Sequence, residues 1–293
     1  MMDLVALNIF RAVAEEGGIT KAAVKLNRVQ SNVTTRIQQL EADLGVALFE
    51  RSRRKLVLSE EGKRLLPYAE RLMSLASEAN ASVRNAVPAG ALRVGTLESS
   101  AASRLPPILS RFHRAYPSVR LELTTGTSGN LIARLRRHEI DAALVAEPYS
   151  TLGTDSVAAF EERLVLIAPQ GVSIRRPAKD LSRWTVIAFA EGCSYRRRLE
   201  EWLTTLGVVP ARFLELQSYH AIVACVAAGS GVAIIPKSVL EVVGHRDAGQ
   251  VQSLPSSVAR TWTRIVWRSG YRSLALDAFC GQFSRASRMV QTP

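Results

Sequence analysis

Cysteine is scarce in this chain: Cys193, Cys225 and Cys280 are its three, widely spaced and without a C-x-x-C pair. That excludes a disulfide-framed fold and the usual cysteine metal sites. Histidine is also sparse, and His113, His138, His220 and His245 fall outside H-E-x-x-H or comparable metal spacing. No G-x-S-x-G elbow, G-x-x-x-x-G-K-[ST] loop or post-strand G-x-G-x-x-G occurs, and Gly229-Ser230-Gly231 reads as a helix-ending turn. No catalytic residue, metal ligand or cofactor is therefore expected. No run approaches 18 uninterrupted apolar residues, and Asp3, Asn8 and Arg11 break the apolar pattern at the start, unlike a signal peptide. These absences predict a cytoplasmic protein that is not an enzyme and has no membrane partner.

What is present is ordinary globular composition, 47% hydrophobic and 22% charged, in 293 residues, enough for two or more compact units. Lys and Arg number 38 against 26 Asp and Glu, a formal net charge of +12 that raises the question of a polyanionic partner. The excess is spread unevenly. Residues 1–88 hold 13 basic and 10 acidic side chains, whereas residues 89–293 hold 25 and 16. Nucleic-acid binding must therefore be argued from a local pattern, not from the total.

Two textures divide the chain. Up to about Val87 apolar residues recur at helical spacing, with one short β-rich run, Lys55 to Leu58. After Pro88-Ala89-Gly90 strand-like runs alternate with helical ones in two passes, which predicts two similar α/β lobes with parallel or mostly parallel sheets. In the first part a helix over Leu4, Leu7, Phe10 and Ala14 stops at Gly17-Gly18, and Thr20 is placed as the N-cap of a short second helix. A turn at Asn27 to Gln30 leads to a helix from about Ser31 to Leu44, with Val33, Ile37, Leu40 and Leu44 on its buried stripe. The other face carries Gln30, Ser31, Asn32, Thr34, Thr35, Arg36 and Gln38, the groups a helix needs to read base edges in a major groove. Four of the five residues Arg51 to Lys55 are basic and lie between strand-like pieces, as a phosphate-gripping wing requires. Alone they would equally suit a solvated turn; the preceding helix-turn-helix favours the wing.

The run from Ile19 to Ser52 resembles the winged helix-turn-helix of LysR-type transcriptional regulators. Its most specific parts are Gln39-Leu40-Glu41, Leu44-Gly45-Val46, Leu48-Phe49 and Leu58-Ser59-Glu60-Glu61-Gly62, and in length and domain order the likeness extends over the whole chain. It implies DNA contacts at Gln30, Ser31, Thr34, Thr35, Arg36 and Arg53; Thr20, Asn32, Arg51 and Arg54 complete the candidate set. Many members carry Arg and then Gln where this chain has Thr35 and Arg36, a change that bears on base preference. The domain plan is a winged helix-turn-helix over 1–58, a linker helix over 59–88 and an effector-binding domain over 89–293. Lobe I of that domain spans about 91–162 and 267–293, and lobe II about 163–266. In the linker, Leu65, Tyr68, Leu72, Ala76, Ala79 and Val83 follow a three-four spacing suited to a second copy of the helix, or else to its own domain, and Pro67 is expected to bend it near its start. The resemblance implies a homodimer through 59–88, often a homotetramer, acting on double-stranded promoter DNA.

The resemblance also implies periplasmic-binding-protein-like lobes with a small-molecule effector between them. Ligands of such sheets lie beyond the strands' carboxyl ends. There the sequence offers Glu98, Ser99 and Ser100, then Thr127 and Ser128, then Ser194, Tyr195 and Arg196, and finally Ser218 and Tyr219. Taken singly each Ser or Thr would serve as a plain N-cap; together they outline a site. Glu98 suits an ammonium, and the candidate effectors are an amino acid, a polyamine or a carboxylate. The segments around Glu98, Ser194 and Ser218 are similar to a LysR-type subgroup that includes a regulator of putrescine utilisation. Cys193, with Cys225 as partner, is a candidate thiol sensor, although the apolar Val223 to Val226 stretch favours packing for Cys225. The alternative plan is a solute-binding or enzymatic α/β module fused to a helical dimerisation unit.

Overall fold

The computed structural model describes residues 2–52, 55–83, 87–243 and 249–289. They form two compact units, Met1–Val87 and Pro88–Pro293. The first holds helices α1 (Leu4–Glu16), α2 (Ile19–Lys25) and α3 (Gln30–Leu44), an antiparallel hairpin of β1 (Phe49–Ser52) and β2 (Lys55–Leu58), and α4 (Glu60–Val83). Asp3 starts α1 by accepting the Ala6 amide proton at 2.7 Å, which satisfies one of the helix's free donors. The core is made of Leu7, Phe10 and Val13 from α1, Ala22 and Ala23 from α2, and Val33, Ile37 and Leu40 from α3. Each large side chain buried here contributes about 1.5–3 kcal/mol.

Two local expectations need correction. Thr20 is not an N-cap: α2 begins at Ile19 after Gly18, which places Thr20 inside the first turn and exposed. Leu44 leaves the buried stripe, at 37% exposure, because the helix ends there and its last turn overhangs the core.

The motif that links α3 to α4 has a mechanical basis. Glu41 accepts the backbone N–H groups of Leu48 at 2.7 Å and Phe49 at 3.2 Å, fixing the wing's root to α3. Ser59 donates to the Ala47 carbonyl at 2.7 Å and accepts from the Gly62 amide at 3.0 Å, so it both caps α4 and ties it to the segment before β1. In α4, Leu65 and Leu66 pack on the core and Ala69 is fully buried, whereas Tyr68, Leu72 and Leu75 are exposed. The expected stripe therefore divides, Leu65 serving its own unit while Tyr68 and Leu72 do not.

The second unit runs β3 (Gly90–Thr96), α5 (Glu98–Ser103), α6 (Leu105–Ala115), β4 (Val119–Thr125), α7 (Ser128–Arg136), β5 (Ala142–Ala146) and the long β6 (Thr154–Ala168). Next come α8 (Pro177–Asp180), β7 (Thr185–Ala188), α9 (Ser194–Thr205), β8 (Arg212–Glu215), α10 (Tyr219–Ala227), β9 (Val232–Pro236) and α11 (Lys237–Val243). It ends with β10 (Gln250–Ser253), α12 (Ser256–Ala259), β11 (Arg260–Arg268) and α13 (Leu274–Met289). Strand order is β4-β3-β5-β11-β6-β9-β7-β8, with β10 also on β6.

Parallel pairing joins β3 to β4 and β5 in one lobe, and β7 to β8 and β9 in the other. The sheet as a whole is mixed rather than mostly parallel, because the strands passing between the lobes run antiparallel to their neighbours. β6 pairs with β11 from Thr154 to Arg163 and with β9 from Leu164 to Ile167, so one strand serves both lobes. The return to lobe I, expected near 267, begins at Arg260: β11 pairs with β5 from Thr263 onward. One core lies under α6 and α13, around Phe112, Phe279 and Phe283; a larger one continues from the other face of lobe I through lobe II.

Candidate nucleic-acid interface and ligand cleft

On α3 the buried Val33, Ile37 and Leu40 turn the remaining positions outward. Gln30, Ser31, Asn32 and Thr35 are exposed, and Thr34 and Arg36 are half-buried. Thr34 donates back to the Gln30 carbonyl at 3.0 Å, Asn32 accepts from Arg28 at 3.2 Å, and Arg36 lies 3.8 Å from the Asp3 carboxylate. These contacts are exposed, so DNA can replace them at little cost. The hairpin brings Ser52 opposite Lys55, and the expected contacts Arg53 and Arg54 fall outside the described residues. Arg51 is on β1; its backbone is opposite Leu56.

In the second unit the ends of parallel strands converge as the strand-helix rhythm requires. Leu97, Glu98 and Ser99 follow β3; Gly126, Thr127 and Ser128 follow β4; Phe189, Cys193, Ser194 and Tyr195 follow β7; Tyr219 opens α10 after β8; and Ala146 ends β5. They enclose a cavity of about 10 Å³, close to the least that holds one water. The two lobes meet across it. Gly129 donates its amide to the Gly192 carbonyl at 3.1 Å, and Ser194 donates to the Ala146 carbonyl at 2.7 Å. Gly192 has φ +83°, and a Cβ there would sit 2.9 Å from Thr127 Oγ1, so this closed contact depends on glycine.

The cavity's polar groups are of two kinds. Thr127 and Ser128 have local work: Thr127 accepts the Asn130 amide at 3.3 Å, and Ser128 accepts the Ala146 amide at 3.2 Å. Ser194 is engaged as well, but four other oxygens at this place are buried without a completed bond. Glu98 Oε2, Ser99 Oγ and Tyr195 OH complete no hydrogen bond, nor does Thr263 Oγ1 of β11, and Tyr195 OH lies beside both Ser99 and Thr263. Buried polar atoms are normally satisfied, so this cluster calls for a guest, whether water or ligand. Burial raises the Glu98 carboxyl above its usual range, opposed by the nearby His220 and the Tyr219 amide. Burial likewise raises the hydroxyls of Tyr195 and Tyr219 and the Cys193 thiol, which keeps all three neutral. A thiol held protonated is a poor peroxide nucleophile, which weighs against a sensing role for Cys193.

Three of the expected effector residues lie elsewhere. Arg196 turns away, pairing with Glu200 at 2.8 Å and with Glu215, and stacking 5.0 Å over Phe213, because its place on α9 faces β8. Ser218 caps α10, accepting the Ala221 amide at 3.5 Å, and does not line the cavity. Ser100 is buried behind the lining, its hydroxyl unpartnered. Sequence reasoning missed Phe189, Ala146 and Thr263. Phe189 stacks on Tyr219 with centroids 5.0 Å apart, and the strand-end rule marks its position; Thr263 comes from a crossover strand that carried no such signal. Among the described residues no group of His, Cys, Asp and Glu is placed to hold a metal, and no helix is long and apolar enough to cross a membrane.

A helix-turn-helix with a hairpin wing, joined to a two-lobed α/β unit that closes on a small cavity, defines a DNA-binding regulator with an effector-binding domain. Residues 4–63 match the family described as "Bacterial regulatory helix-turn-helix protein, lysR family", and residues 85–288 match the LysR substrate binding domain. The chain belongs to the LysR family of transcriptional regulators. It is 36% identical to the HTH-type transcriptional regulator YusT of Bacillus subtilis over 95% of this chain and 94% of that one. It is also 36% identical to the HTH-type transcriptional regulator SoxR of an Arthrobacter species, over 92% and 91%. Among solved structures, Corynebacterium glutamicum OxyR, as a C206 mutant, matches with a TM-score of 0.70 at 24% identity over 98% of this chain and 93% of that one. Full-length CbnR in complex with its target DNA matches with a TM-score of 0.64 at 24% identity, covering 97% and 100%. Both share the fold. Members of the family are regulators rather than enzymes, bind DNA and small-molecule effectors, and form oligomers.

Proposed function

We propose that this cytoplasmic regulator reads its operator with α3 and the hairpin wing, and that a small molecule in the Glu98–Tyr195 cavity biases how it sits on DNA. The observation that carries the reading is the polar face of α3, set opposite three buried apolar residues and followed at once by the basic hairpin. Gln30, Ser31, Asn32, Thr34, Thr35 and Arg36 contact the major groove, with Thr20 and wing residues Arg51, Arg53 and Arg54 on the flanking backbone. The domain plan is 1–58 for DNA, 59–88 as linker and 89–293 for the effector. The exposed Tyr68, Leu72 and Leu75 of α4 meet a second copy of the helix, since an apolar stripe of this kind is stabilised by self-association. Ligand binding favours the lobe arrangement it fits best and so shifts the population of DNA-binding geometries.

The test is an electrophoretic shift with DNA flanking the chain's own gene. A specific shift is expected, and Gln30→Ala or Thr35→Ala should each weaken it by about 1–3 kcal/mol, roughly 5- to 150-fold, with the site's base preference relaxed. No shift at low salt from folded, oligomeric protein overturns the reading.

A further inference from the structure

Twelve residues line the cleft cavity, and Glu98 is their one group that carries charge at neutral pH; no Lys, Arg or His is among them. The nearby arginines are committed elsewhere. Arg196 is held by Glu200 and Glu215, and Arg104 by Glu162 at 2.8 Å. His220, exposed and outside the lining, is the imidazole near Glu98; the carboxylate is half-buried, with Oε2 sealed off and unpartnered, so a cation inside the cavity would still stabilise it. Helix N-termini would argue for an anion instead, but those of α7, α9 and α10 are already engaged, and α5, which has no side-chain cap, carries Glu98 in its own first turn. The Gly129 amide goes to Gly192, Thr127 caps α7 and Ser218 caps α10. The first amides of α9 face the Cys193 sulfur, and the Tyr219 amide faces Glu98. Each terminus offers about half a charge, against the full charge of Glu98.

The remaining orphaned oxygens narrow the class of cation. Ser99 Oγ, Tyr195 OH and Thr263 Oγ1 are buried and close together, on residues of 3% exposure or less; Tyr195 OH lies within reach of the other two, and none of the three makes a well-formed bond to any further group. A primary ammonium has three N–H donors to share among a carboxylate and hydroxyl oxygens; a quaternary ammonium has none. The narrow cavity also disfavours bulky cations. We propose that the effector of this cleft carries a primary aliphatic ammonium, held by Glu98 and by the Ser99 and Tyr195 oxygens. This rests on the reading of the cleft as the effector site.

The experiment is calorimetry and thermal shift on the full-length protein with small probes of comparable size to one another, which the lobes must part to admit. 1,3-Diaminopropane and ethanolamine represent plain amines, L-alanine a zwitterionic amine, propionate an anion, and tetramethylammonium a cation without N–H groups. At least one primary ammonium is expected to bind and raise the thermal midpoint, while propionate and tetramethylammonium do not. The response to alanine decides between an amino acid and a plain amine as the source. Glu98→Gln, shown by circular dichroism to be folded, should weaken the bound amine at least tenfold, and Ser99→Ala should weaken it less. No response from any ammonium probe at about 10 mM, well above a millimolar Kd, overturns the proposal. So does amine binding that Glu98→Gln leaves intact. A cavity-filling Ser99→Trp separates the two readings: if propionate binds and is lost in Ser99→Trp but not in Glu98→Gln, the cleft stands and the ammonium falls. If a bound probe ignores both substitutions, the cleft reading itself fails.

Discussion

Gly62 shows how a single atom decides local stability in the DNA-binding unit. In the first turn of α4 an alanine would ordinarily gain up to about 1 kcal/mol over glycine. Here a Cβ would collide with the Leu48 carbonyl oxygen, which cannot withdraw because it accepts the Ser59 amide at 3.0 Å. Backbone overpacking of this kind costs about 1–3 kcal/mol, so the steric loss outweighs the propensity gain. Gly62→Ala is expected to speed hydrogen exchange of the α1 and α3 amides in the full-length protein by roughly 5- to 150-fold. Slower or unchanged exchange would mean that the wing's root yields. Gly62 was visible in the sequence as part of a resemblance, but the carbonyl that demands it was not.

At the scale of elements, an ion pair with one buried member ties the effector lobes to the strand they share. Glu162 of β6 is 2% exposed; its carboxylate accepts from Arg104, between α5 and α6, at 2.8 Å and from Ser238 of α11 at 2.9 Å. Ser103 donates to Ser238 at 3.1 Å, extending the chain of contacts. Removing one partner of a fully buried pair costs about 3–5 kcal/mol, but Arg104 is partly exposed and regains water, so Glu162→Ala should destabilise the second unit by about 1–3 kcal/mol. Urea unfolding followed by tryptophan fluorescence checks this, since all four tryptophans lie in that unit; an unshifted midpoint would show the tie to be ornamental. None of these three residues stood out in the sequence, because they are 58 and 76 positions apart along the chain and no local pattern marks such a contact. The local elements were legible for the opposite reason. The 3.6-residue period of α3 and the strand-helix alternation after Pro88 are short-range signals, and so the ends of β3, β4, β7 and β8 located most of the cleft. The outward turn of Arg196 depended on Glu215, on another strand, and the antiparallel β6 and β11 depended on pairing across about a hundred residues.

For the whole molecule the question is what the excess of +12 does. Most of it lies after residue 88, yet there Arg93, Arg104, Arg134, Arg196 and Arg264 each sit within 4 Å of a carboxylate. Such pairing leaves the net excess in place, but charges that do not lie on the phosphates act little across more than a Debye length of about 8–10 Å. Phosphate binding should therefore depend on the few basic groups of the wing rather than on the larger total. Each phosphate contact contributes about 0.9 to the slope of log K against log salt, so two copies of the chain on one operator make a single substitution count twice. Arg51→Gln is expected to reduce the slope by about 1.8, whereas the double change Arg175→Gln and Arg176→Gln, at two exposed positions of lobe II, leaves it unchanged. The measurement is operator affinity from about 50 to 200 mM salt. An equal drop from the lobe II pair would mean that the effector unit also lies against the phosphates, and that the charge total acts directly in DNA binding.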